Sequence, residues 1–561
     1  MMSLFGQCCF IEVARGEREI MKIIIRMLIV LLLAVGISPN PATAAPAAAT
    51  ITVNTTIDEM TANSACSLRE AIYGVNNGIY TYGCTLSGSG AVTINLPAGD
   101  FLLDHTGANE DPGLTGDLDI LTSMTITGVS PESTTINGNN SDRVFDILAG
   151  STAEVTISNL TIEDGLVTTQ HGGGIRNNAN LTLNNVVIQD NDTYLDGGGI
   201  YHKSGAAPLS PPTGITQPAP AAIGATLMLQ NSTVHGNLAR GNGGGIFNAA
   251  GSNLTVDYST IDTNQADGDL NGVGSGGGIY NGSELKFRVD HSIFYYNSAG
   301  HGNAGGIYSG LAGGDDVIIT DTLFDSNQAI NGYGGNLVHN GTSGTLEMYR
   351  SEIAYGRATW GAGIMSSGAG NTTYLENVTI DRNLATSGTL PGSPNQGAGV
   401  YIHSGTVEIV HATIVDNVAG DPGVPGQGAG IYTAGTGSIQ STIIARNTDR
   451  EANLINCIGG LTSLGYNLSD GSSCSLTGTG DLPGTNARLG TRGLHGSLNA
   501  ANTYSLRYDS PAIDAADPGD YPSTDQRGLH RPLDGDGNGS SISDIGAFEV
   551  LLKTYLPVIR K

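Results

Sequence analysis

Apolar and polar residues alternate in short runs along most of the chain, and each run closes in the same way. LTLNNVVIQDN, LMLQNSTVHGN, LTVDYSTIDTN, FRVDHSIFYYN, VIITDTLFDSN, LENVTIDRN and VEIVHATIVDN all finish on an apolar residue, two variable positions and Asn. Period-two alternation of this length predicts short strands. Ahead of these runs stands a glycine cluster, GGGI or a close variant, with its apolar residue at Ile175, Ile200, Ile246, Ile279, Ile307, Leu337, Ile364, Val400 and Ile431. The steps range from 25 to 46 residues. A constant core at irregular spacing predicts a fixed rung with loops of variable length. The rung reads as strand GGGIY, a turn, strand LxVxxS, and strand xIxxN.

No helical pattern separates these strands, so they cannot form strand–helix–strand units and should stack as a parallel β-helix. The glycines would let the backbone bend at a corner, Ile would point into the core, and the following Tyr or Phe would point outward. Asn191, Asn237, Asn264, Asn297, Asn327, Asn383 and Asn417 are expected to stack as an amide ladder, interrupted where Gly356 and Arg446 take the Asn place. Weaker rungs precede these in VTINLPAGDFLL, MTITGVSPESTTINGNN and AEVTISNLTIEDG, which gives roughly a dozen coils and a rod on the order of 50 to 60 Å long. An open stack needs capped ends. ACSLREAIYGVNN, residues 65 to 77, has helical spacing of Leu68, Ile72 and Val75 with Ser67 as N-cap, and is expected to be the N-terminal lid. The five-proline insertion at 205 to 224 is a projecting loop, read as a tolerated insertion rather than a lip over a groove.

Composition agrees with a repeat architecture: 561 residues, 83 of them Gly, 39% apolar and 13% charged. A formal charge of −27 with no Lys/Arg run argues against nucleic acid. It suits neutral glycans or cations. From Met21 the chain reads MKIIIRMLIVLLLAVGISPNPATAA, a charged start, an apolar run and a small-residue cleavage site. Residues 1 to 44 are therefore expected to be a secretory signal peptide with an over-long start. The apolar run is too short to span a bilayer, so no membrane span is expected after cleavage. Cys66, Cys84, Cys457 and Cys474 remain, an even number that suggests two disulfides in an exported protein. Three connectivities are possible, and the sequence-local pairs Cys66–Cys84 and Cys457–Cys474 are simplest. Zinc is the alternative, without CxxC or HxxxH spacing to support it.

CSLREAI, residues 66 to 72, resembles the signature of the CSLREA domain of exported bacterial proteins. The GGGI and FYYN or FDSN motifs are similar to the polymorphic outer-membrane protein repeat. SPAID (510 to 514), TDQRG (524 to 528) and DIGAFE (544 to 549) resemble the choice-of-anchor Q domain. These resemblances imply a secreted or cell-surface bacterial protein and an all-β fold. That fold is a single-stranded parallel β-helix, a right-handed solenoid, with an N-terminal capping helix and a C-terminal cap. The expected organisation is a cap at 45 to 90, β-helix repeats at 91 to 460, a choice-of-anchor Q-like region at 461 to 550, and a tail at 551 to 561. The chain departs from polymorphic outer-membrane proteins in ending with EVLLKTYLPVIRK, where no autotransporter barrel fits, and LPVIRK lacks the Thr-Gly of an LPxTG sorting motif.

Three patterns bear on chemistry. Polygalacturonase-like hydrolases carry NTD, DD and GHG in that order, whereas here GHG (300 to 302), Asp315-Asp316 and NTD (447 to 449) run in reverse over distant coils. For a lyase, Lys286, Arg288, Arg350, Arg357 and Arg382 are candidate basic groups, with solvated charge as the plain alternative. In DGDGNGSSISD, Asp534, Asp536 and Asn538 stand at positions one, three and five of an EF-hand-like loop, with the closing acid at Asp544 in place of position twelve. This reads either as a calcium site or as a plain Gly/Asp turn. Finally, Tyr201, Phe247, Tyr280 and Tyr308 follow the apolar anchor on consecutive coils, and Tyr401 and Tyr432 do so later. They are either an outward stripe for stacking on sugar rings or rings packed on one another.

The function expected from these residues is a monomeric adhesin-like or glycan-binding scaffold without catalysis, with calcium as its possible cofactor and a polysaccharide or cell-surface glycan as partner. The alternative is a polysaccharide lyase or glycoside hydrolase working in the same groove.

Overall fold

In a computed structural model the chain winds into a parallel β-helix, described here for residues 49–107, 113–205, 224–268, 274–310, 316–387, 395–497 and 499–551. The expected signal peptide, almost all of the proline-rich insertion and the C-terminal tail lie outside the described residues. The described residues other than Gly88–Gly90 belong to one compact unit.

Each coil presents strands on three long faces. On the first, three-residue strands pair in register from Leu118–Ile120 through Phe145–Ile147, Ile175–Asn177 and Ile279–Asn281 to the strand Cys457–Gly465. The second runs from Ala49–Thr52 through Val92–Asn95 and Thr226–Gln230 to Ile431–Gln440. The third runs from Gly99–Leu102 through Thr233–His235 to Leu482–Pro483. A fourth series of short strands follows the closing Asn or the glycine in its place, from Leu166–Val167 to Thr448–Asp449. The strand reading missed this fourth series, although its signal is in the sequence. Asn-x-Ala recurs, and Ala239, Ala266, Ala299, Ala329, Ala358, Ala385 and Ala419 are all fully buried.

The glycine triplet now has a mechanical explanation. In GGGIYN the first glycine, Gly276, sits at φ 70°, a left-handed corner that side chains disfavour. The third, Gly278, lies against the ladder, where a Cβ would stand 2.7 Å from the next coil's Gly306 carbonyl oxygen and 3.2 Å from the Asn297 amide carbon. Ile279 is then fully buried, and its burial contributes roughly 1.5 to 3 kcal/mol.

The Asn ladder runs without a break, which corrects the expected interruptions. Asn191, Asn237, Asn264, Asn297 and Asn327 each donate a side-chain amide hydrogen to the next residue in line at 2.9 to 3.0 Å, and Asn327 donates onward to Asn336 at 2.9 Å. Asn336 bridges to Asn383 at 3.1 Å. Asn417, Asn447 and Asn456 continue the chain. The rung assigned to Arg446 belongs to its neighbour Asn447. The gap at Gly356 is filled by Asn336, which stands at the third glycine position of its own coil. Every rung is buried, so each unmade bond would carry a desolvation cost of about 1 to 3 kcal/mol.

The N-terminal lid is α1, Leu68–Asn77, and each residue of CSLRE has a separate task. Cys66 is bridged to Cys84. Ser67 is the N-cap, paired with Glu70 in a capping box, and Leu68 enters the core. Arg69, fully buried, clamps Asp58 through Nε at 2.7 Å and donates to the carbonyls of Gly113, Gly116 and Asp117. The second disulfide joins Cys457 to Cys474 near the other end of the stack.

The three C-terminal motifs converge into one buried knot. Asp525 of TDQRG receives the N–H of Glu549 from DIGAFE at 3.0 Å, Glu549 receives the N–H of Asp544 at 3.0 Å, and Asp544 receives the N–H of Asp514 from SPAID at 2.8 Å. Gln526 accepts from Thr379 at 2.6 Å, and Ala547 donates to Thr413, which seats the knot on the third face. A hairpin of Leu489–Gly493 with Thr503–Leu506 packs on the same face, where Tyr504 reaches Asp381 and Asp416.

Candidate functional site

Register fixes a line of outward side chains one residue past each buried anchor of the first face. In order they are Asp119, Asp146, Arg176, Tyr201, Phe247, Tyr280, Tyr308, Val338, Met365, Tyr401 and Tyr432. Tyr201, Phe247, Tyr280 and Tyr308 stack with centroids 5.0 to 5.1 Å apart and planes within 10°. His171 closes one end of the pile, 4.4 Å from Tyr201. The faces between neighbouring rings are therefore occupied, and of these four residues only Tyr308, at the end of the pile, has an outer face turned toward the next coil.

The stripe changes character at the next two coils, where Val338 and Met365 replace the rings. A parallel row lies at the corner just before the glycines, and in those same coils it carries Tyr333 and Trp360, paired in register and stacked at 5.0 Å. Shifting the aromatic residues sideways leaves a cavity of about 360 Å³. Val338 and Met365 form its floor, Tyr308 and Tyr401 its ends, and Tyr333 and Trp360 one side. The opposite side is polar: Asn340, Ser367 and His403 each stand two residues beyond the stripe, and Asn303 completes the lining. Asn340 donates to the Tyr308 hydroxyl at 2.9 Å, and the Tyr401 hydroxyl lies 3.2 Å from His403 Nδ1. Burial, and then Tyr432 and Tyr333 beside it, push the Tyr401 phenol up, so it stays a neutral hydroxyl.

One wall of this cavity is flat and apolar, and the other is a row of amide, hydroxyl and imidazole groups. A pyranose has the same division, with C–H faces that pack on aromatic rings and hydroxyls that need partners at the rim. No carboxylate is among the described lining residues. The sequence reading missed Tyr333 and Trp360 because they precede the repeat motif.

The other candidates are dispersed. His301 of GHG hydrogen-bonds through its backbone to Asp267, Asp316 begins a second-face strand, and Asn447 of NTD is a ladder rung. Arg288 lies 3.6 Å from Asp290, Arg350 pairs with Asp321 at 2.6 Å, and Arg357 lies on the fourth face. Arg382 faces the C-terminal hairpin.

In the acidic loop, Asp534 receives the N–H groups of Gly537, Asn538 and Gly539, and Asn538 donates its side chain to Asp536 at 2.9 Å. Asp544 is turned into the buried knot, where burial and then Glu549 push it up to about 8. Asp514 stands with the loop instead: oxygens of Asp514, Asp534 and Asp536 lie within 4.8 Å of one another, a set able to hold a hard cation. Among the described residues, no helix is long and apolar enough to cross a membrane.

No protein-family profile and no curated protein matches the chain. Among solved structures, pectate lyase Pel9A is similar at 12% identity and a TM-score of 0.31, over 89% of this chain and 94% of that one. A mannuronic acid specific polysaccharide family 6 lyase from human gut microbiota is similar at 11% identity and a TM-score of 0.31, over 70% of this chain and 86% of that one. Likeness at this level assigns no activity.

Proposed function

We propose that this chain is an exported, CSLREA-type β-helix that binds polysaccharide or cell-surface glycan at the Tyr333–Trp360 cavity without cleaving it. The observation that carries the reading is the two-sided lining, with stacked rings facing a polar row of Asn340, Ser367 and His403. The overall charge of −27 favours a neutral glycan. Two disulfides and the leader-like N-terminal sequence support export. Calcium at Asp514, Asp534 and Asp536 would tie the acidic loop to the SPAID segment; oxygen-only ligands suit it.

The test is the size distribution of neutral and acidic polysaccharides after incubation with residues 45 to 561, with calcium and with chelator. Intact polymers that co-elute with the protein, and cease to do so with Trp360→Ala, are expected. Shorter chains would overturn the scaffold reading in favour of a lyase or hydrolase.

A further inference from the structure

On the third face, the residues just before the ladder Asn positions adopt left-handed backbone and project outward: Tyr355, Arg382, Asp416 and Arg446, at φ 53°, 55°, 60° and 57°. The C-terminal hairpin brings Arg492 and Tyr504 against this row, leaving an open cleft of about 580 Å³. Three guanidinium groups line it.

Their charges are not equally compensated. Arg446 is held by Asp416 through Nε at 2.8 Å and Nη2 at 2.8 Å. Arg492 sits between two fully buried carboxyls, Glu352 and Asp381, the latter at 3.1 Å. Arg382 has the Tyr355 hydroxyl at 2.6 Å, while its nearest carboxylate, Asp381, is 3.8 Å away and already engaged with Arg492. The Tyr504 hydroxyl, with one hydrogen, lies 3.1 Å from Asp381 and 2.9 Å from Asp416. That single hydrogen is shared between the two carboxylates. Glu352 and Asp381, two carboxyls around one guanidinium out of water, retain a proton between them. The cleft is thereby left with a surplus positive charge, carried at its mouth by Arg382.

We propose that this cleft binds the carboxylate of a uronic-acid unit, with Arg382 as its principal ligand and the exposed Tyr355 ring beside the sugar. The guanidinium fork matches a carboxylate bidentately. Arg382 Cζ lies 5.5 Å from the ring centre of Tyr355, which is exposed, so a sugar bound there meets aromatic surface as well as charge. Burial pushes Asp381 up to about 6 and Glu352 up to about 8, in keeping with the retained proton. The proposal extends the polysaccharide reading to acidic sugars but uses a different face from the aromatic cavity, so either can fail alone.

The experiment is calorimetric titration of residues 45 to 561 with trigalacturonate, a neutral trisaccharide of galactose, and sodium sulfate. Saturable binding of trigalacturonate is expected, at least tenfold weaker in Arg382→Gln, partly restored in Arg382→Lys, and unchanged in Trp360→Ala. The unfolding midpoint reports whether each variant folds. Absence of trigalacturonate binding, equal binding by Arg382→Gln, or loss in Trp360→Ala instead would overturn the proposal. Sulfate binding as tight as trigalacturonate would reduce the cleft to a bare anion site and overturn it too.

Discussion

Asn336 and Gly356 have exchanged places. In the other glycine-repeat coils from Ile175 to Ile431 the ladder rung is Asn and the third corner residue is Gly; in this one the rung is Gly356 and the corner residue is Asn336. The amide returns to the same ladder from the opposite side of the corner, accepting from Asn327 at 2.9 Å and donating to Asn383 at 3.1 Å. A Cβ on Gly356 would clash with the Ala362 carbonyl oxygen and stand 2.5 Å from Asn336 Nδ2, so position 356 accepts a side chain only if Asn336 is gone and the Ala362 corner gives way.

That exchange predicts a coupled pair. Asn336→Gly leaves one Asn327 amide hydrogen without its partner in the core, while Asn383 keeps the Gly356 N–H at 2.8 Å, and should cost roughly 1 to 3 kcal/mol, read from urea unfolding. Adding Gly356→Asn should recover part of the loss although Gly356→Asn alone destabilises. A double variant no better than the sum of the singles would contradict the ladder account.

Stability should fall as pH rises from 5 to 8.5. Burial raises Glu352 and Asp381 above their ordinary values, so the folded state holds their protons more tightly than the unfolded chain. Their contribution is full below pH 4 and is lost as pH passes about 6 and then about 8. The slope is at most about 1.4 kcal/mol per pH unit per group. Glu352→Gln should flatten it and leave the variant relatively more stable at pH 8. An unchanged slope would place the proton elsewhere, at Asp117 or Asp544, which burial raises in the same sense.

The lid depends on Arg69. Its removal leaves Asp58 buried and uncompensated and frees three carbonyls, so Arg69→Ala should cost roughly 3 to 5 kcal/mol. Amide exchange should accelerate first in strands Ala49–Thr52 and Val92–Asn95. Exchange that rises uniformly along the chain would show that the lid is not a separate stabilising unit.

Calcium should raise the unfolding temperature and chelator should lower it. The response should vanish in Asp514→Asn as well as in Asp536→Asn, although Asp514 lies outside the loop. A response that survives Asp514→Asn would restrict the site to the loop itself.

Much of this was legible in the sequence because the β-helix repeats its instructions. Ile279 inward, Tyr280 outward and Asn297 at the corner follow from period two and recurrence alone. The four-ring stripe was legible as a line, but whether rings stack on one another or stand free depends on coil spacing, and at 5.0 Å they stack. Tyr333 and Trp360 escaped notice because they precede the motif and come together only through register. Asp514 beside Asp534, and Arg492 beside Glu352, are long-range pairings that no local pattern encodes.

The chain contains a single tryptophan, and it is Trp360, so tryptophan emission reports on the proposed glycan cavity alone. The most direct measurement is an emission titration of residues 45 to 561 with neutral oligosaccharides of increasing length. The account predicts a saturable shift that is reduced at least tenfold in affinity by Tyr333→Ala and is untouched by Arg382→Gln. Emission that stays constant while the same oligosaccharides bind by calorimetry would place the glycan site elsewhere on the molecule and contradict it.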